Sequence, residues 1–515
     1  MIYRFEDFVF NTDLRELTRA GEIRSAPPQV LALLELLIAN YERMVSKDEI
    51  VEAVWNGRIV SDGSINSRVK LLRQALDDDG KQQRLIKTVH GQGFRFVGTV
   101  EASEADPDMA SDPSAILPLP DRPSIAVLPF DNMSSDPDHE FLADGICEDI
   151  LTALSKVSEL FVIARNSTFV YKGRSVDVRQ VGRELGVAYV LEGSVRSSGP
   201  RLRITAQLID ARSGEHVWAE RYDRQQDEIF ALQDEITLQI VSELLGELIT
   251  TTEQARIWVG GTGNFDAWQA VVRGTMLVAS MERAKLSEAV VQLERAISID
   301  PEYASAHVVL ANAHFQLLIN GWTDDPMASL GIIAENAQQA LAINPSDPLA
   351  TAMISFVALC QGDLARAEQL AQRAVELGPN IIASLILVAM ISVHLGAMDR
   401  ATQLTTQCLR LSPIGRRTIS TTAAFVQTSA GNYEAALHHA DELLNDNPND
   451  INGLITAIIC YEVEGDIEKR DGFAKRLLAI DPQFSIDHYL ASKFLQNHEV
   501  GQHSRSLLLA AGLPG

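Results

Sequence analysis

The stretch Ile86-Lys87-Thr88-Val89-His90-Gly91-Gln92-Gly93-Phe94-Arg95-Phe96-Val97 decides the reading of the first hundred residues. Two short alternating runs flank a turn that holds two glycines, a pattern that predicts a β-hairpin. Upstream, Ile65, Val69, Leu72 and Leu76 fall at i, i+4, i+7 and i+11, one buried face of a helix beginning near Ser64. The opposite face of that helix carries Ser64, Asn66, Ser67, Arg68, Lys70, Arg73 and Gln74. Earlier still, Ser46-Lys47-Asp48-Glu49 has the form of a capping box and predicts a helix ending near Trp55. Pro28 can open a first helix through Leu31, Leu34, Leu37 and Ile38. Residues 2–24 alternate in short runs, which predicts a small antiparallel sheet.

Charge separates this block from the rest. The 515 residues carry a formal net charge of −25, yet residues 1–100 hold 14 basic and 14 acidic groups and are neutral. Between Arg58 and Val97 there are eight basic and four acidic residues, three of the acids being Asp77-Asp78-Asp79 at a helix end. Positive potential is thus confined to one segment, and the remainder repels phosphate.

Sheet, three helices and a hairpin closing on T-V-x-G-x-G-F-R-F resemble the OmpR/PhoB-type winged helix over nearly the whole block. The resemblance implies a third helix in the major groove of double-stranded DNA and a wing on the adjacent minor groove or backbone. The DNA-binding residues it implies are Ser64, Asn66, Ser67, Arg68, Lys70, Arg73 and Gln74, with Lys87, Thr88, His90, Gly91, Gln92 and Arg95 from the wing. Arginine and lysine can neutralise phosphates or donate to guanine, and asparagine can pair with adenine. Two positions depart from the family: His90 stands where arginine is common, and Leu71 where a second basic residue is common. Both imply modest affinity for a single site, which a tandem dimer on DNA would offset.

The end of the chain repeats. Prolines at 301, 345, 379, 413, 448 and 482 are 44, 34, 34, 35 and 34 residues apart, and a glycine (Gly362, Gly396, Gly431, Gly465) precedes each of the last four by 17. Ala367, Ala401 and Ala436 follow the first three glycines by five. A period of 34 with a turn glycine, a close-packing alanine and a closing proline is the TPR signature, an all-α solenoid of stacked helix pairs. It spans about 265–515, with the last thirty residues as a cap and one repeat lengthened by ten around Asn320–Pro326.

Two breaks bound a middle block. Residues 100–121 hold four prolines and six acids without a patterned apolar face, and are read as a linker. Three glycines lie in Val259–Asn264. Between them, the apolar run Ser124–Phe130, helical patterns at 141–154, 178–185 and 229–248, and strand-like runs at 160–164, 189–196, 201–210 and 216–222 predict an α/β domain with a mixed sheet. The segments IAVLPF, LADGICEDILTALS and ELGVAYVLEGSVR resemble the TolB N-terminal-like domain. The expected division is 1–99 winged helix, 100–121 linker, 122–250 α/β domain and 265–515 TPR array, an architecture resembling HilA-type regulators.

Catalytic motifs are missing from the sequence. There is no P-loop, since Gly260-Gly261-Thr262-Gly263 lacks the lysine, and no G-x-S-x-G elbow. His498 and His503 are five apart, which turns them off a common helix face for a metal. Asp144, Glu148 and Asp149 read as helix-surface charges, and the three blocks leave no room for a class III cyclase domain. The chain is therefore expected not to be an enzyme and to need neither cofactor nor metal. Cys147, Cys360, Cys408 and Cys460 form no CxxC pair, which fits a reducing cytosol. The opening MIYRFEDFVF is too charged for a signal peptide. Gly378–Met398 has no Asp, Glu, Lys or Arg, but it falls in register with the repeats and reads as a buried helix, with no membrane partner.

The expected function is a cytoplasmic bacterial transcription regulator that binds DNA specifically. RNA polymerase and an unknown protein or peptide at the TPR groove are further expected partners. The alternative is a TPR interaction scaffold whose winged helix docks protein rather than DNA.

Overall fold

A computed structural model describes residues 2–515 apart from 7, 12–15, 20–21, 24–27, 42, 48, 52–61, 79–82, 90–92, 99, 104–116, 118, 121, 135–138, 175, 199–200, 226–227, 246–260 and 495–497. The chain divides into two compact units, Met1–Ala115 and Ile116–Gly515.

In the first unit, five antiparallel strands lie in the order Glu22–Ile23, Glu16–Arg19, Phe8–Asn11, Ile2–Phe5 and Glu101–Ser103. The last of these falls within the segment read as linker. Pro28 opens the helix Pro28–Ala39 as its fixed φ allows. The capping box forms: the Ser46 amide donates to Glu49 Oε2 at 2.8 Å, and the Glu49 amide donates to Ser46 Oγ at 3.3 Å. The end of its helix near Trp55 lies outside the described residues. The third helix runs Asp62–Ala75, and all four apolar positions read from its period are at most 2% exposed. Each contributes roughly 1.5–3 kcal/mol on leaving water, which outweighs the weak helix propensity of Ser64, Asn66 and Ser67. The hairpin Ile86–Val89 and Gly93–Phe96 pairs with Val45–Ser46 into a second sheet. Gly93 is obligatory there, because a Cβ would sit 2.0 Å from the Val45 carbonyl oxygen. Phe96 closes the core edge-on to Phe5, with ring centroids 5.1 Å apart.

The second unit begins with a mixed sheet. Phe161–Val162 and Tyr189–Ser198 flank Ser124–Val127 in parallel, and Arg201–Asp210 and Glu215–Gln225 continue it antiparallel. The helices Glu140–Ser155, Val178–Leu185 and Ile229–Leu245 cover it. Six antiparallel helix pairs follow, from Phe265–Ala279 with Arg283–Ile299 to Ile451–Glu464 with Ile467–Ile480. Gly362, Gly396, Gly431 and Gly465 turn the last four pairs at φ between 73° and 80°, a region that favours glycine. Ala367, Ala401 and Ala436 are fully buried where the paired helices cross. The lengthened repeat spends its extra residues on two longer helices, Ala304–Ile319 and Pro326–Ile343, as well as on the loop. The uncharged stretch forms Ile382–His394, a 13-residue helix inside the array. Among the described residues no helix is long and apolar enough to cross a membrane.

Sheet and array share their cores. Val181, Leu185 and Val190 of the α/β layer lie in one apolar cluster with Phe356, Leu387 and Leu411 of the helix pairs. Trp268 of the first pair packs among Ile125, Ile146 and Ile236. Polar bonds reinforce the seam: the Ala164 amide donates to the Leu411 carbonyl at 2.9 Å, and Asn380 Nδ2 donates to the Leu160 carbonyl at 3.0 Å.

The structure corrects the reading of Asp144 as a helix-surface charge and gives the half-buried Glu148 and Asp149 specific partners. Asp144 is 6% exposed and takes both its oxygens to Lys172 Nζ at 2.6 Å. Glu148 pairs with Arg165 at 2.7 Å. Asp149 Oδ2 accepts from the Trp268 indole at 2.6 Å and from Gln233 Nε2 at 2.8 Å. Burial pushes Asp149 up to about 7 against the pull of these two donors.

Candidate nucleic-acid interface

The helix Asp62–Ala75 and the hairpin 86–96 are fixed against each other by a small set of polar contacts. Asp78, 7% exposed just past the helix, accepts from the amides of Arg84, Leu85 and Ile86 at 2.7, 3.2 and 2.9 Å. It therefore anchors the loop at the point where the first wing strand begins. Gln83 Oε1 accepts from the Thr88 amide at 2.8 Å. Arg73 crosses from helix to wing: its Nη2 donates to the Ile86 carbonyl at 2.8 Å and to Thr88 Oγ1 at 2.9 Å. The Arg73 Nε is buried with no acceptor among the described residues. Period alone puts Arg73 on the outer face, but its long side chain folds back onto the strand.

The candidate contact residues separate accordingly. Lys70 is exposed on the helix, whereas Arg68 is half-buried and engaged by a neighbour. Ser64, Asn66, Ser67 and Gln74 lie on the same helix. Leu71 is half-buried against the apolar core. On the wing, Lys87 and Arg95 face each other in register across the two strands, and both are exposed. Arg95 also donates from Nε to the Tyr41 carbonyl at 3.4 Å. Thr88 is half-buried under Arg73. His90, Gly91 and Gln92, at the tip, lie outside the described residues. Like charges directly opposite on a hairpin repel, so the Lys87–Arg95 pair favours an anion between or above them.

Sequence reasoning missed Asp78, Gln83 and Tyr41. Asp78 was hidden in a run of three acids that looked like solvated helix-end charge. Only its burial separates it from Asp77, which is exposed and pairs with Arg19 at 2.5 Å.

Elsewhere, the two histidines set aside as metal ligands do separate work. His498 caps the helix Glu499–Ala510 through Nδ1, and His503 Nε2 lies 3.0 Å from the Tyr433 hydroxyl.

Residues 22–96 match the family described as transcriptional regulatory protein, C terminal. Residues 121–239 match the HilA/YgeH-like transcriptional regulator, second domain. A Rhizobium meliloti protein named "Putative adenylate cyclase 3" is 47% identical over 246 residues, 47% of this chain and 41% of its own length. Transcriptional regulator HilA of Salmonella typhi is 22% identical over 361 residues, 68% of this chain and 60% of its own. Response regulator MprA of Mycobacterium bovis is 36% identical over 95 residues, 18% of this chain and 41% of its own. The chain thus spans 41% to 60% of the length of these curated relatives. Among solved structures, Pseudomonas aeruginosa PilF is 18% identical at a TM-score of 0.31, covering 44% of this chain and 97% of that one. The TPR fold rests on the helix pairs themselves. The chain therefore carries an OmpR/PhoB-type winged-helix domain, a HilA-like second domain and a TPR array, in that order.

Proposed function

We propose that this chain is a sequence-specific, DNA-binding transcriptional regulator. In this reading the helix Asp62–Ala75 enters the major groove of double-stranded DNA and the wing rests on the adjacent backbone or minor groove. The observation that carries it is the exposed, in-register Lys87–Arg95 pair, together with an exposed Lys70 on the third helix, on a domain of the transcriptional-regulatory family. Lys70, Lys87 and Arg95 serve as phosphate contacts. Ser64, Asn66, Ser67, Arg68 and Gln74 are the further candidate contacts from the helix, shared between bases and backbone. Arg73 and Thr88 act by holding the helix to the wing.

Residues 116–515 receive the signal, and RNA polymerase is the downstream partner. The relative named as a regulator, aligned over 68% of this chain, supports this reading. So do the middle-block carboxylates, which are taken up by Lys172, Arg165 and Trp268 rather than gathered for a metal. We accordingly propose no catalytic role. Incubation with magnesium and ATP should yield no cyclic nucleotide, and its appearance in proportion to protein would reverse that part.

The DNA reading is tested by mapping bound sites genome-wide and titrating one at several salt concentrations. A protein using several phosphate contacts loses affinity steeply with salt, by about 0.9 log units per contact for each tenfold rise. A salt-independent interaction would instead mean that the domain docks protein.

A further inference from the structure

The first helices of the six pairs line a cavity of about 790 Å³ within the second unit. Arg165 and Asn166 of the α/β layer contribute to one part of its wall, and the C-terminal residues Phe484–Lys493 to another. The C-terminal segment crosses the inner face of the array and reaches back to early repeats. Lys493 Nζ donates to the Ile319 carbonyl at 3.3 Å, and His394 Nε2 lies 3.0 Å from the Lys493 carbonyl. The Phe494 ring meets Phe356 edge-on at 5.2 Å, and Phe356 meets Phe315 at 5.1 Å. A long peptide laid along the array would have to displace this segment. A compact molecule would not, and the volume falls in the usual range for small-molecule sites, roughly 300–1,000 Å³.

The lining indicates what such a molecule must be. Phe315, Ile386, Met390, Phe425 and Ile455 give it a broad apolar surface. Of its cations, Arg165 is neutralised by Glu148 at 2.7 Å and Arg417 by Asp450 at 2.8 Å. Lys493 bonds instead to a neutral carbonyl, and the acids nearest it in the lining are Asp450, which is already paired with Arg417 and acts on Lys493 at longer range, and Asp481. Its ammonium is pushed down to about 8 by burial, which an anionic partner would relieve.

We propose that this cavity is a ligand site for an organic anion with a compact apolar body, its carboxylate or sulfonate paired with Lys493 and its body packed among Phe315, Ile386, Met390 and Phe425. The proposal rests on the reading of residues 116–515 as the signal-receiving part, and it does not require the first unit to bind DNA. The Lys493 contact also ties the ligand to the segment that crosses the array, so occupancy would tighten that crossing.

The test uses the full chain without DNA and the fluorescent probe 1-anilinonaphthalene-8-sulfonate, beside its uncharged parent N-phenyl-1-naphthylamine. One saturable equivalent of the sulfonate is expected. Lys493→Met should weaken it by about tenfold, the scale of a charge-assisted hydrogen bond, and leave the neutral parent within about twofold. Lys493→Arg should keep the affinity within about threefold, and Ile386→Trp, which fills the cavity, should remove binding of both probes. Variants are compared at unchanged melting profiles. The proposal is overturned by the absence of a saturable equivalent, by equal sulfonate affinity in Lys493→Met, or by binding that survives Ile386→Trp. Any of these leaves the DNA titration untouched, so the two readings fail separately.

Discussion

Asp78 is buried and Asp149 half-buried, and the two carboxylates do opposite things to stability. Asp78 satisfies three backbone amides at once, so Asp78→Ala leaves buried donors without an acceptor. The expected loss is about 2–3 kcal/mol, read as an earlier urea transition of the first unit and faster hydrogen exchange at residues 84–86. Asp149 is a carboxyl raised from 3.8 to about 7. An acid raised on folding holds its proton while the unfolded chain has lost it, so its contribution falls as pH rises from about 4 to about 7 and is level above that. Asp149→Asn removes the titration and keeps an acceptor for the Trp268 indole. The variant should gain roughly 1–2 kcal/mol over the parent at pH 8 and nothing at pH 4, allowing for residual solvent contact. Equal melting shifts at both pH values would show that Asp149 is not the titrating group.

At the scale of elements, Arg73 ties the helix 62–75 to the wing through two hydrogen bonds. On the proposed reading, in which each makes one phosphate contact, Lys70→Ala and Lys87→Ala should each make the salt dependence of DNA affinity shallower by about one unit of log–log slope. Arg73→Ala should weaken binding at every salt concentration without changing the slope, because it releases the wing rather than a phosphate. A slope change equal to that of Lys87→Ala would return Arg73 to the contact surface. The capping box has its own signature. Hydrogen bonds from the Ser46 amide and hydroxyl and from Arg43 hold Glu49 down at about 2. A depressed carboxylate stabilises above its unfolded pKa, near 4.5, and that contribution is lost as pH falls toward 2. Glu49→Gln should therefore flatten the acid limb of the first unit's stability between those values.

The elements themselves were legible because period and punctuation are local. Ile65, Val69, Leu72 and Leu76 announce a helix, and glycines seventeen residues before prolines announce the pairs. What was not legible is where long side chains end. Arg73 looks outward by period and turns inward, and Asp144 looks solvated and is buried under Lys172. The fate of a polar group depends on a partner 13 residues away for Arg73, 28 for Asp144 and 119 for Asp149, and no periodicity records such distances.

At the scale of the molecule, the shared cores bind the α/β sheet and the helix pairs into one unit. Trp268 belongs by sequence to the first pair and by packing to the sheet. Trp268→Ala should thus lower the melting of both parts together, by about 3–5 kcal/mol, with hydrogen exchange rising in strands 124–127 and 201–210 as well as in helix 265–279. A loss confined to the helix pairs would mean that the two parts melt independently.

The same seam limits how this polypeptide can be dismembered. Scission in the glycines before Asn264 would strip Ile125, Ile146 and Ile236 of Trp268 and give two sticky fragments. Scission at Ala115 falls between compact units. Cutting at the first junction therefore leaves each unit's core intact, whereas the sheet and its solenoid can only be kept or lost together.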